Sequence, residues 1–341
     1  MKPLRVTVLM QTECMPRDSI EGLSPREIAP WKMEYDVCAT LSNLGHEVRQ
    51  VGVSDELSAV VDACAEPRPD VVFNLLETFH GERSRVPFVL AYLELIRQPY
   101  TGCNPAGMIL THSKALAKRI LRSHRIRVPD FAVFEKGRRI RRPRRLEFPL
   151  IVKSVSEHGS VGIAQTSIVR DDDKLRDRVE FIHEQLDTAA MAEQYIDGRE
   201  FYVGILGNRR LTTFPIWELT FESLPEGVPR IATEKVKWDY GYQEKRGVMT
   251  RPADDLAPDL AAHVVRTSKR VYRALSQSGY ARMDLRLSEE GELYFLESNP
   301  NPQLAYGEDF AESAEAVGID YEHLIQRILS LGLRSRATPV E

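Results

Sequence analysis

Apolar and polar positions alternate along Tyr280–Leu287: Met283, Leu285 and Leu287 interleave with Asp284, Arg286 and, just beyond, Ser288. That is the period-2 pattern of a half-buried strand. Ser288-Glu289-Glu290-Gly291 supplies a turn, and Glu292–Gln303 returns. On the return Leu293, Phe295 and Ser298 share a face, while Tyr294, Leu296 and Glu297 break the alternation near its end. The pattern predicts a β-hairpin that brings Asp284 and Glu297 near each other.

The same periodicities predict strands at Leu4–Met10, His46–Val53 and Pro69–Leu75, with helices at Lys32–Leu44, Leu57–Cys64 and Val86–Ile96. Gly45 ends the first helix. Alternating β and α units indicate a parallel sheet with helices on both faces. Gln11–Pro30, broken by Pro16, Gly22 and Pro25, reads as a long loop. A second region starts near Asn104. Its helix, Ser113–Ser123, carries Lys114 and Lys118 one turn apart on one face. Strands follow at Val128–Phe134, Phe148–Lys153, Ile163–Val169, Met191–Ile196 and Phe201–Leu206. Thr233–Gly247 is charged, aromatic and irregular, a candidate lid. Helices are expected at Leu260–Leu275, Asp309–Val317 and Tyr321–Leu331, with a frayed C-terminal end.

A chain of 341 residues can bury a large core and holds two or three domains. Its hydrophobic content of 43% and charged content of 28% are those of an ordinary globular protein. A net charge of −4 argues against general nucleic-acid binding. The apolar stretch at the N-terminus is too short for a signal peptide and reads as a buried strand. No apolar run approaches a membrane span, so a cytoplasmic protein without membrane contact is expected. Cys14, Cys38, Cys64 and Cys103 are scattered, which suggests neither a zinc knuckle nor a disulfide framework. The basic run Lys136–Arg145 has no interleaved aromatics and reads as a solvated surface connection rather than an anionic-partner patch.

Acidic residues on a surface hairpin are ordinarily solvated. Asp284, Glu297 and Asn299 nevertheless form a set of hard oxygen ligands of the kind Mg²⁺ takes alongside phosphates and water. Arg282, on the same strand face as Asp284, is a permanently charged planar donor suited to a developing anion. The glycine-bearing loop Ser156–Gly162 directly after Lys153 can offer backbone N–H groups to phosphate oxygens, and lysine is a point charge suited to the same ligand.

Glu297-Ser-Asn-Pro-Asn-Pro302 resembles the metal-binding Glu-x-Asn-x-x-Pro signature of the ATP-grasp superfamily. Arg282-Met-Asp284 resembles the upstream Arg-x-Asp of its D-alanine–D-alanine ligase-like branch. The likeness spans roughly residues 4–331. It implies a mixed α/β (α+β) three-domain ATP-grasp fold: an N-terminal parallel-sheet domain over 1–104, a central subdomain with the phosphate loop over 105–192, and a C-terminal subdomain with the metal site over 193–341. ATP would lie between two antiparallel sheets. By position, Lys114 and Lys153 match the family's phosphate lysines, and Glu157, Gly159, Ser160 and Val161 fall in its phosphate loop. Glu193, Gln194, Tyr195 and Ile196 match the hinge that reads adenine, with Glu200 at the ribose. Lys237 matches the lysine of the mobile loop. Asp284, Glu297 and Asn299 match the ligands of Mg²⁺, for which Mn²⁺ is a substitute. Arg282 matches the arginine that stabilises the tetrahedral intermediate.

The resemblance implies an ATP-dependent ligase that joins a small-molecule carboxylate and an amine, both amino-acid-like, through an acyl phosphate. It also brings in the homodimers common in that family. Departures cluster on the substrate side. Met10–Asp18 differs from the family's glycine-rich first loop. Gly159 replaces a serine, Trp238 a tyrosine, Gln303 a glycine, and Glu308 a serine that often holds a substrate carboxylate. Together they imply an intact ATP half with a reassigned substrate half, in a biosynthetic or specialised-metabolite pathway. His80 and His158 are further candidates to line the cleft. A divergent D-alanine–D-alanine ligase and a non-catalytic ATP-binding protein are the competing readings.

Overall fold

The computed structural model describes residues 2–334 except Glu66, His158 and Glu226. The chain begins with β1 (Arg5–Gln11), α1 (Pro25–Ile28), α2 (Lys32–Asn43), β2 (Glu47–Val53), α3 (Ser58–Ala63), β3 (Val71–Asn74), α4 (Val86–Leu95), α5 (Pro105–His112) and α6 (Lys114–Ser123). There follow β4 (Phe131–Phe134), β5 (Leu150–Ser154), β6 (Ile168–Val169), α7 (Asp172–Gln185), β7 (Ala190–Gln194), β8 (Arg199–Leu206) and β9 (Thr212–Phe221). The last part comprises α8 (Glu234–Trp238), α9 (Tyr240–Arg246), β10 (Val248–Pro252), α10 (Pro258–Ala274), β11 (Tyr280–Leu287), β12 (Leu293–Pro300), α11 (Asp309–Glu315) and α12 (Tyr321–Arg334).

β1 lies between β2 and β3, parallel to both. Its side chains alternate between two cores. Val6, Val8 and Met10 pack with α2 and α12, whereas Leu9 packs with α3 and α4. The N-terminal sheet is therefore covered on both faces, and one cover comes from the far end of the chain.

Two antiparallel sheets follow. The first has the order β4-β7-β5-β6 and is backed by α7 through Leu175, Val179 and Ile182. The second has the order β10-β9-β8-β11-β12. α6 and α10 bury one of its faces, with Val264, Val271 and Leu275 packed on Val203, Met283 and Leu285. Its opposite face carries the charged residues of β8 and β11.

The hairpin forms as the alternation predicts, with Asp284 directly opposite Glu297. The register then slips, and Leu285 pairs with Phe295, leaving Leu296 as an extra residue on β12. This bulge has a consequence for the site. Residues two apart on a regular strand share a face. The inserted Leu296 lets Phe295 enter the core while Glu297 turns to the charged side.

Several elements differ from the expectation. Thr233–Gly247 is not irregular but forms α8 and α9. Thr233 Oγ1 accepts from Val236 N, Asp239 Oδ1 accepts from Tyr242 N, and Gly247 closes α9 in the left-handed conformation. Ile163–Val169 keeps only β6 as strand, because Gln165–Ser167 takes a 3₁₀ turn. The loop after β1 contains α1, capped by the Ser24 and Glu27 side chains. Unanticipated elements are α5, capped by Asn104, α7, capped by Asp171, and the strands β9 and β10. The basic run 136–145 is a connection whose Lys136 and Arg142 pair with Asp187 and Asp172.

Candidate active site

β8 and β11 pair antiparallel, with Tyr202 opposite Asp284 and Glu200 opposite Arg286. Strand alternation then sets Arg282, Asp284 and Arg286 side by side on the face away from the α10 core. Arg282 grips the Asp284 carboxylate with two hydrogen bonds, Nε to Oδ1 at 2.8 Å and Nη2 to Oδ2 at 3.0 Å. Its guanidinium stacks 4.4 Å from the Tyr202 ring centre and lies 3.7 Å from Asp309 Oδ2. Arg286 donates to Glu200 Oε2 at 2.5 Å and to the carbonyls of Ile196 and Arg230. The Tyr202 hydroxyl donates to the other Glu200 oxygen at 3.0 Å.

Facing this sheet, the sheet of β4–β7 contributes Glu193 and Lys153, and α6 contributes Lys114 and Lys118. Glu193 on β7 is buried between two of these lysines. Lys153 Nζ lies 2.5 Å from its Oε1 and Lys118 Nζ lies 3.0 Å from its Oε2. Lys118 also donates to the Phe295 carbonyl on β12 at 3.2 Å, and so ties the two sheets together. Lys114 lies 3.5 Å from Glu297 and donates to the Glu157 carbonyl. Burial strips water from all these groups, and the charges then decide the outcome. Desolvation pulls Lys118 down to about 8 and lowers Lys114, against the pull of Glu193 and Glu297. For Lys153 desolvation also acts downward, but the carboxylates of Glu193 and Glu297 win and its pKa is raised. Glu193 is lowered, because its two lysines outweigh its desolvation.

The loop after β5 carries Gly159 and Ser160 in the left-handed region, at φ of 68° and 61°. A residue with a side chain is uncommon there. The lid helices are fastened to this loop. Trp238 Nε1 donates to the Gly159 carbonyl at 2.9 Å, Gly162 N donates to Glu234 Oε2 at 2.9 Å, and Glu234 N donates to the Ile163 carbonyl.

Two connected clefts result. The inner one lies between the sheets and brings together Lys114, Lys153, Glu157, Ser160, Val161, Glu193, Gln194, Tyr195, Ile196, Glu200, Lys237, Asp284 and Glu297. The outer one holds Gly159, Lys237, Trp238, Arg282, Asn299, Gln303 and Glu308. Lys237 borders both. Partial desolvation, followed by the neighbouring Asp309, raises the pKa of Glu308. His80 is not among the residues that line either cleft. It has a φ of 57° and lies 3.6 Å from Asp55. His158 lies outside the described residues.

No group of three or more His, Cys, Asp or Glu side chains able to hold a metal occurs among the described residues. The donor set here is two carboxylates and an amide. Asn299 Nδ2 donates to Asp284 Oδ2 at 3.0 Å and approaches Glu297 Oε1 at 3.5 Å. Asp284 is only 2% exposed. Desolvation raises its pKa, Arg282 opposes this, and Glu297 adds to the rise. A buried Asp284 beside a half-buried Glu297 fits a hard divalent cation, which would relieve that repulsion, and Asn299, whose Nδ2 now faces them, would turn its amide oxygen to such an ion.

Lys118, Arg286, Tyr202 and Asp309 join the site beyond the residues expected from sequence. Lys118 is signalled by its place one turn after Lys114, and Arg286 by its place two residues after Asp284. Tyr202 and Asp309 carry no comparable signal.

The family described as "D-ala D-ala ligase C-terminus" matches residues 120–330. An uncharacterized protein, y4sG, of Sinorhizobium fredii is 31% identical over 318 residues, spanning 91% of each chain. A D-alanine–D-alanine ligase of Moorella thermoacetica is 28% identical over 319 residues, spanning 91% of this chain and 96% of its own. Among solved structures, the D-alanine–D-alanine ligase of Bacillus anthracis complexed with ATP superposes with a TM-score of 0.75. It is 24% identical, with 98% of both chains covered.

Proposed function

Because this chain belongs to the D-alanine–D-alanine ligase family, and with it to the ATP-dependent ligases that form carbon–nitrogen bonds, we propose that it joins the carboxylate of one amino-acid-like small molecule to the amine of another through an acyl phosphate. The observation that carries this reading is the meeting of Lys114, Lys153 and Lys237 with Asp284 and Glu297 in one cleft that opens onto Arg282 and Asn299. The three sheets, at 5–74, 131–194 and 199–300, support a division into an N-terminal domain and two ATP-grasp subdomains.

The nucleotide occupies the inner cleft, its base against Gln194–Ile196 and its ribose near Glu200. Lys153, steadied by Glu193, and Lys114, steadied by Glu297, meet its phosphates, as do the backbone groups of the 159–161 turn. Asp284, Glu297 and Asn299 would hold Mg²⁺, or Mn²⁺ in its place, which when bound neutralises charge on the phosphoryl group. The substrate carboxylate in the outer cleft attacks the γ-phosphoryl group in line, and ADP leaves. The amine then attacks the acyl carbonyl. Arg282 supports the oxyanion, the acyl C–O bond breaks and phosphate departs. Lys237 and Trp238, carried on α8, cover the site and keep water from the acyl phosphate. A cytoplasmic setting, where ATP is supplied, is consistent with this reading. No described helix is long and apolar enough to cross a membrane.

The test is phosphate release from ATP and Mg²⁺ with pairs of L- and D-amino acids, followed by mass spectrometry. Release that requires both partners, together with the condensed mass, is the expected result. ATP binding without release under any pair would favour a non-catalytic protein instead. D-Alanyl-D-alanine synthesis is the second reading, favoured by relatives such as the D-alanine–D-alanine ligase of Moorella thermoacetica. Gly159, Trp238 and Glu308 speak against it.

A further inference from the structure

We propose that one of the two substrates carries a bulky apolar side chain, aliphatic or aromatic, that packs against Trp238 in the outer cleft. The proposal rests on the ligase reading and deepens it.

Trp238 leaves 66% of its surface exposed although its indole nitrogen is tied to the Gly159 carbonyl at 2.9 Å. The ring is therefore held in place while much of its apolar surface faces solvent. The apolar wall continues across Leu219 on β9 and Val248 on β10, which strand pairing sets on one face with Thr250. These residues come from three elements that meet around the space in front of Arg282 and Asn299. Water over such a concave apolar wall is unfavourable, and a ligand that displaces it gains from the burial.

Several charges of the same cleft are matched within the protein, and Lys237 and Glu308 line it as well. Arg83 pairs with Glu77 at 2.7 Å and Lys32 with Asp36 at 2.7 Å, while Arg282 is held by Asp284 at 2.8 Å. With Lys237 and Glu308 left to the polar ends of the substrates, the apolar wall is what a ligand side chain would cover. A methyl group would cover little of it. A side chain the size of leucine or larger can span from the indole toward β9 and β10.

The experiment measures phosphate release with ATP and Mg²⁺ while one amino acid is held as alanine and the other runs through Ala, Leu, Met, Phe and Trp in both enantiomers. The same amino acids are titrated calorimetrically onto the protein with a non-hydrolysable ATP analogue. The best bulky substrate is expected to exceed alanine at least tenfold in kcat/KM. Trp238→Ala is expected to cut that ratio at least tenfold, and Trp238→Phe to keep most of it. Leu219→Ser, on a different element, is expected to lower the ratio too, which guards against an effect of loosening the lid. A wild-type preference for alanine, or a ratio that neither Trp238→Ala nor Leu219→Ser moves, overturns the proposal. If no pair turns over, that counts against the ligase reading, and the calorimetry still decides this one. Bulky amino acids binding tenfold more tightly than alanine, with the difference lost in Trp238→Ala, support it. Equal or absent binding overturns it.

Discussion

Glu34 lies on α2 with 4% of its surface exposed, and among the described residues no lysine or arginine pairs with it. Desolvation, with a smaller push from Glu77, raises its carboxyl to about 7 from an ordinary 4.5. The native state therefore binds a proton between these values that the unfolded chain has already released. Stability falls as pH rises through this window, and above pH 7 the cost is fully present. At about 1.36 kcal/mol per pKa step, titration near 7 in the fold against 4.5 when unfolded costs about 3 kcal/mol. Glu34→Gln keeps the shape and removes the charge. We expect the variant to match the wild type near pH 4.5 and to be more stable at pH 8 by about 2–3 kcal/mol. Urea unfolding of both proteins at intervals between pH 4.5 and 8 measures the difference, in which other titrations cancel. Parallel stability curves across that range would show that Glu34 is not held neutral and would refute the argument.

Arg282→Ala should retain ATP binding and lose turnover by about 10²-fold or more, the scale of one lost oxyanion donor; nucleotide titration beside kcat checks this, and unchanged turnover would sink the assignment. Glu297→Gln should weaken ATP binding only when Mg²⁺ is present, and a metal dependence like that of the wild type would count against a ligand role. Lys118→Met strips one of the two lysines from buried Glu193. Breaking a buried pair costs about 3–5 kcal/mol, and Lys153 on the other oxygen places this change near the lower end. Adding Glu193→Gln should recover part of the loss in unfolding experiments, and full additivity would show that the pair does not interact.

The hairpin and its facing carboxylates were legible because alternation is a local signal, and Asp284 indeed faces Glu297. The broken alternation at Leu296 marks the bulge, but which residue is extra depends on the partner strand. Apart from α1, the order of strands and helices before Asn104 was equally readable. α7 and the lid helices show what hydrophobic period alone misses: Asp171, Thr233 and Asp239 are N-caps, written in the sequence but read only when caps are sought. The Lys118–Glu193–Lys153 cluster joins residues far apart in the chain, and no local pattern announces a partner at that distance. The outer cleft is harder still, since Trp238 looks like an ordinary exposed residue until β9, β10 and α8 are placed around it.

α12 completes the core over Val6, Val8 and Met10. On the ribosome, β1 waits for α12. At about 5–20 residues per second, the interval between Met10 and Leu329 lasts roughly 15–60 s. Throughout it, one face of the nascent parallel sheet has α2 as its only cover from its own segment. Ile325, Ile328 and Leu329, the residues that seal it, are among the last described residues to be made. A chain released before them would carry an apolar sheet left open on the α12 side, the kind of surface that chaperones hold and that aggregates form upon.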